Sequence, residues 1–389
     1  VERTMLDSVF AARNSNAPLP TFRREVPFNY SAKTLANLNE EFLPEISSKQ
    51  VNVQCNWLFS AKLDILFFFA PLFLAIVLLK LSQTAFLFSA LSLFLLAEVL
   101  PAAGVSHLAA SWSHYLDSEN RNHYFGHWVK RLTFVVIPLS LIGLTALAFF
   151  LKLDPLIGLI YLVWTMQHLT QQNIGILLLY HNPGEATLLR SMLARSLRIP
   201  AVAMGVLYII RMSEPNIPNL ALIFGGGFIC LASSIYYGLH IFQEARRGAP
   251  INLPAFLFWL SSTWFFLPII ILNGSHYECF MLPLFAHWCQ YLGLNSILFS
   301  RKYKSAKTDG VLKSPHLRKV LLFVAIFTAI FISLDHLCIP IASPLRSALA
   351  GLLLGLTFAH YFVDAFMWKF REPFQRKAIL AFLKIRRPT

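Results

Sequence analysis

Charged residues are scarce in this chain of 389 residues, making up 13% of it, about half the share found in an ordinary soluble domain. So little charge excludes a soluble enzyme, a disordered chain and a simple nucleic-acid binder. Thiols are also few. Cys55, Cys230, Cys279, Cys289 and Cys338 form an odd set with no C-x-x-C pair, which points away from a disulfide framework and from a thiolate metal site. There is no G-x-S-x-G elbow, no Walker loop, no G-x-G-x-x-G and no C-x-x-C-H haem attachment. Residues 1–57 lack an apolar leader core, so no cleavable signal peptide is expected.

What the chain has instead is apolar length. Hydrophobic residues make up 56% of it and gather into runs such as ILFFFAPLFLAIVLL (65–79) and FLFSALSLFLLAEVL (86–100). A bilayer can cover such runs on every face and a soluble core cannot. The expected fold is all-α, a polytopic membrane bundle. About ten spans are expected, near residues 58–80, 85–108, 132–151, 156–180, 197–211, 220–242, 256–272, 280–299, 319–337 and 345–367. Residues 58–367 then form the transmembrane domain. Residues 1–57 form a soluble N-terminal segment, in which Leu35, Leu38 and Phe42 share one face of a short amphipathic helix. Residues 368–389 read as a basic cytoplasmic tail.

The net charge is +14, from 33 basic and 19 acidic residues. Of the 33, all but Lys80, Lys152, Arg211 and Arg346 fall in the N-terminal segment, the even-numbered loops or the C-terminal tail. The positive-inside rule therefore places both termini in the cytoplasm, and the basic excess reads as a face toward anionic lipid in a plasma (inner) membrane. No nucleic-acid partner is expected.

Ionisable side chains at membrane depth are costly, so each is a functional candidate. The string HLAASWSHYLDSENRNHYFGHW carries His107 and His114 two helical turns apart, and His123 and His127 four residues apart, the spacing of a metal clamp on one helix face. His168 stands with Gln171 and Gln172 in a polar stripe roughly 20 Å along the helix from His181. His360 and Asp364 share a face of the last span, where the carboxylate can act as a ligand or as the partner of its histidine. The metal candidates are thus His107, His114, His123, His127, His168, His181, His360 and Asp364, gathered toward the cytoplasmic side with His168 deeper, near mid-membrane. Gln171, Gln172, His287 and Gln290 are candidates for a substrate path, with His287 expected in the outer half, away from the other histidines. Nitrogen and carboxylate donors without thiolates suit non-haem iron, manganese or zinc.

The His123–His127 pair matches the H-x-x-x-H box of the membrane-bound fatty acid desaturases, hydroxylases and alkane monooxygenases, and on those residues the chain resembles that family. The H-x-x-H-H boxes that complete the family pattern are absent. The resemblance implies a cytoplasm-side histidine site for iron, an apolar small-molecule or lipid substrate and an electron-donor protein. Two other readings fit the same residues. One is a transporter with His168, Gln171, His360 and Asp364 along its path; the other is an electron-transfer subunit holding haem b between two histidines.

Overall fold

The computed structural model describes residues 52–82, 99–181, 187–213, 219–271, 276–303, 314–338 and 343–383, all within one compact unit. The amphipathic helix expected around Leu35 and the first part of the second span lie outside the described residues.

The fold is all-α. In chain order the main helices are α1 (Ala70–Ser82), α2 (Leu100–Ser113), α3 (Ser118–Gly126), α4 (Ile137–Phe150), α5 (Asp154–Tyr180), α6 (Thr187–Ser213), α7 (Asn219–Arg246), α8 (Leu253–Thr263), α9 (Pro268–Ile271), α10 (His276–Lys302), α11 (Pro315–Cys338) and α12 (Ser343–Met367). Among the described residues, the strands are two short ones, β1 (Val53–Gln54) and β2 (Ile251–Asn252), paired in parallel. Local chemistry sets several boundaries. Pro155 enters α5 in its first turn, where a missing N–H costs nothing, and Asp154 faces the positive end of the helix. Lys152, with φ 60°, turns the chain from α4 into α5. Asp117 caps α3 by accepting from the backbone N–H of Glu119 at 2.8 Å.

Among the described residues, six helical stretches are long and apolar enough to cross a membrane: Trp128–Phe150, Met192–Ser213, Leu220–Arg246, Leu253–Ile271, Pro315–Leu334 and Arg346–Met367. The short fifth span expected at 197–211 is in fact part of the 27-residue α6, which runs through Pro200 without ending. Helices α5 and α10 are also 27 residues long but fall outside the six. Their central turns, QHLTQQN in α5 and HWCQYLGLN in α10, dilute the apolar pattern, and these are the turns that carry the functional candidates.

Helix α12 packs tightly on α4. Gly351 and Gly355, spaced as G-x-x-x-G, let the two backbones approach so closely that a Cβ on Gly355 would lie 2.7 Å from Ile142 Cα. One apolar cluster joins Met166, Leu169, Met204, Phe265, Ile269 and Leu284. Another joins Leu58, Phe68, Leu177, Trp259, Leu298 and Ile379.

Polar ties gather several connecting segments at one end of the bundle. Asp64 accepts from the backbone N–H groups of Leu58 (2.6 Å) and Phe59 (3.0 Å) and from the Tyr180 hydroxyl (2.8 Å). Asn252 bonds the Asn56 backbone in both directions. Residues 368–389, expected as a tail, are helical from Pro373 to Leu383, with Gln375, Ala378, Ile379 and Leu383 buried. Arg301 secures this segment by donating to the carbonyls of Phe382 and Leu383.

Candidate metal centre

Four helices each bring one histidine to a common point: His107 from α2, His168 from α5, His287 from α10 and His360 from α12. One ring nitrogen from each can be chosen so that all four lie within 4.8 Å of one another, close enough to hold a metal ion. Two donors on one ion with bonds of about 2.1 Å stand at most about 4.2 Å apart, so the widest pair would close by up to about 0.6 Å on binding. The rings meet edge to face. His107 lies 4.7 Å from His287 and 4.3 Å from His360 between centroids, and His168 lies 4.9 and 5.1 Å from the same two.

His107 and His287 are 1% exposed, His360 0% and His168 9%. Among the described residues, both nitrogens of His107 and of His287, and Nε2 of His168 and of His360, have no hydrogen-bond partner. A buried polar atom left in that state costs about 1–3 kcal/mol, and native folds contain few of them. Each ring can turn one such nitrogen to the common point, and four together mark a place suited to a ligand, imidazole nitrogens being metal ligands.

The surroundings hold these rings in place. The Tyr361 ring stacks on His168 at 4.2 Å, and its hydroxyl lies 3.0 Å from Thr165 Oγ1. Gln172 donates to the His287 carbonyl at 3.1 Å and to Gln290 Oε1 at 3.0 Å. His360 Nδ1 lies 2.8 Å from Ser111 Oγ, Ser111 Oγ donates to Tyr291 Oη at 2.6 Å, and Tyr291 donates to Asp364 Oδ1 at 3.0 Å.

Of the eight metal candidates read from the sequence, the structure brings together His107, His168 and His360, and it adds His287. The separate position expected for His287 is corrected, since α10 crosses the bundle so that its central turn faces α2 and α5. His168 and His287 stand near the middle of 27-residue helices.

The H-x-x-x-H pair forms no clamp. Helix α3 ends at Gly126, and His127 is extended (φ −136°, ψ 148°), capping the next turn by accepting from Val129 N. His123 stacks flat on Phe374 at 3.7 Å, and burial, reinforced by the Lys130 charge, holds its imidazole below the usual range. His114 bonds Asn295 Oδ1 through Nε2 at 2.7 Å and lies outside the four-histidine group. His181 follows the end of α5 in extended backbone, also outside it. Asp364 is 3.6 Å from His360 Nδ1, on the side of that ring bonded to Ser111, and lies outside the four-histidine group. Among the path candidates, Gln172 and Gln290 bond each other, and Gln171 is exposed on the outside of α5.

Toward the end of the bundle, a second polar group surrounds Asp117. Its carboxylate takes Lys302 at 2.6 Å and the Tyr303 hydroxyl at 2.5 Å. Burial alone would push this carboxyl up, but Lys302 and Tyr303 outweigh it and hold Asp117 below the usual carboxylate range.

The signal for His287 was present in the sequence as H-x-x-x-Y on α10, parallel to H-x-x-x-S at His107, H-x-x-x-Q at His168 and H-x-x-x-D at His360. In each case a histidine is followed one helical turn later by a polar residue. Compared with known proteins, the chain matches no family model, no curated protein and no solved structure.

Proposed function

We propose that this chain is a multi-pass membrane metalloenzyme, a non-haem iron oxygenase or desaturase that holds one iron on His107, His168, His287 and His360 and oxidises a lipid or another apolar molecule. The observation that carries this reading is the convergence of four buried histidines with unpartnered nitrogens within a bundle of membrane-length apolar helices. An all-imidazole set suits iron, copper, zinc or nickel. Iron is favoured because the bundle that holds the site is built of membrane-length apolar helices, which fits oxidation of a water-insoluble substrate better than hydrolysis. His107, His168, His287 and His360 would hold the ion, and iron bound there would supply the redox chemistry for oxidation by dioxygen.

In this reading about ten helices cross the inner membrane, both termini lie in the cytoplasm, and an electron-donor protein docks at the basic end of the bundle. The kinship to histidine-box enzymes is one of chemistry, with ligands drawn from four helices in place of an H-x-x-x-H box. Haem b fits less well. A bis-histidine haem needs two axial imidazoles with an open plane between them, whereas here four rings crowd one point. A transport path is also less favoured, because Gln171, one of the residues it needs along its path, is exposed on the outside of α5.

Metal analysis of protein purified from membranes tests the proposal. One iron per chain is expected, lost in His287→Ala and kept in His123→Ala. Protein that stays metal-free after anaerobic reconstitution with Fe(II) refutes it.

A further inference from the structure

Each of the four histidines has a polar residue four positions later on its own helix: Ser111 after His107, Gln172 after His168, Tyr291 after His287 and Asp364 after His360. That spacing puts a second polar layer one turn from the histidine layer. Three members of this layer form a single hydrogen-bonded file across α2, α10 and α12, and its direction follows from counting protons.

As an ionised carboxylate, the state that a cation beside it favours, Asp364 accepts and does not donate, so the Tyr291 hydroxyl proton goes to its Oδ1 at 3.0 Å. The tyrosine oxygen is then free to accept, and it lies 2.6 Å from Ser111 Oγ, which gives it the serine's one proton. Ser111 Oγ in turn can only accept from His360 Nδ1, at 2.8 Å. The His107 carbonyl, at 3.5 Å from Ser111 Oγ, competes poorly for that proton. The file therefore runs from imidazole to serine to tyrosine to carboxylate. Its first member is a neutral histidine with the proton on Nδ1 and the lone pair on Nε2, the nitrogen with no partner among the described residues.

We infer that Asp364, acting through Tyr291 and Ser111, is the positioning group that fixes His360 as an Nε2 metal ligand and gives this four-imidazole site its negative charge. All four donors are neutral, so a bound divalent cation would otherwise be buried with nothing to offset it. Asp364 is the one carboxylate in contact with the donor set among the described residues. It offsets the cation without occupying a coordination position. The inference rests on the metal reading above, but the tautomer it assigns is a property of the protein alone.

The test has two arms on the full chain in detergent. In the first, metal-stripped protein is titrated with Co(II) and followed by the visible absorption of the bound ion and by competition with a chelator. Tyr291→Phe and Asp364→Asn are expected to bind one Co(II) per chain with about 10- to 100-fold lower affinity and a shifted absorption band. Ser111→Ala is expected to behave likewise, and Ser111→Thr, which keeps the hydroxyl, to recover much of the affinity. Wild-type affinity and an unchanged band in both Tyr291→Phe and Asp364→Asn overturn the inference. In the second arm, the ¹⁵N imidazole shifts of the metal-free wild-type protein are read, with His360 assigned by its loss in His360→Gln. A protonated Nδ1 is expected, and a protonated Nε2 overturns the inference even if the variants fail to fold. Wild-type protein that binds no metal but shows the Nδ1–H tautomer would remove the metal reading and leave the relay standing.

Discussion

Replacing Gly355 by alanine adds one methyl group at the closest approach of two helices, and the structure gives the consequence a size. The new Cβ would sit 2.7 Å from Ile142 Cα and 2.9 Å from the Ile142 carbonyl oxygen, both on the backbone of α4. Carbon atoms in contact rest at about 3.5–4.0 Å, so α12 must retreat by about 1 Å. Overpacking of this kind costs about 1–3 kcal/mol, and alanine returns about 1 kcal/mol through its helix propensity. The net effect on stability is therefore small, about 0–2 kcal/mol by that difference. The effect on the site is larger. His360 follows Gly355 by five residues on the same helix and moves with it, while metal–ligand distances tolerate only about 0.2 Å. Gly355→Ala should therefore lower Co(II) affinity by at least about tenfold, comparable to losing an outer-shell partner, while the melting temperature shifts by only a few degrees. Gly227→Ala, where nothing lies within 4 Å of the new atom, should leave both unchanged. The assay is chelator-competition titration beside a thermal melt in one detergent. Wild-type affinity in Gly355→Ala would show that the α4–α12 contact does not set the position of His360.

Alanine at His287 should abolish stoichiometric metal binding as completely as alanine at His107, whereas His123→Ala and His127→Ala should keep it; mass-spectrometric metal analysis reads all four. Asp117→Asn breaks a nearly buried pair with Lys302 and should cost about 3 kcal/mol near neutral pH by thermal or chemical denaturation. Because the folded-state carboxyl is held below its usual value of about 3.9, its stabilisation is present above that pH and disappears as pH falls through the lower folded value. The gap between wild type and Asp117→Asn should therefore close only in strong acid, and a gap closing between pH 7 and 5 would contradict this. Tyr180→Phe removes the hydroxyl that donates to Asp64 at 2.8 Å and should cost about 1.5–3 kcal/mol, measured by the same melts.

The apolar runs and the sparse charge determine, from sequence alone, that this is an all-α chain of membrane-length helices, because no other environment covers such runs. Sequence also marked the polar turns of α5, α10 and α12 as the places to look, since polar side chains at that depth carry a cost. It could not choose among the twelve histidines. Local spacing favoured His123–His127, four apart on paper, but Gly126 ends the helix between them and sends the two rings different ways. Local spacing likewise gave no reason to join His287 to His107, because 180 residues separate them and their approach depends on how α10 crosses α2. That crossing is fixed by close contacts such as Trp288 against Gly104, where an added Cβ would meet the indole at 2.8 Å. Helix formation is a matter of neighbours along the chain and is legible there. The meeting of four histidines and the file ending on Asp364 depend on side chains from different helices, and only the packed bundle decides them.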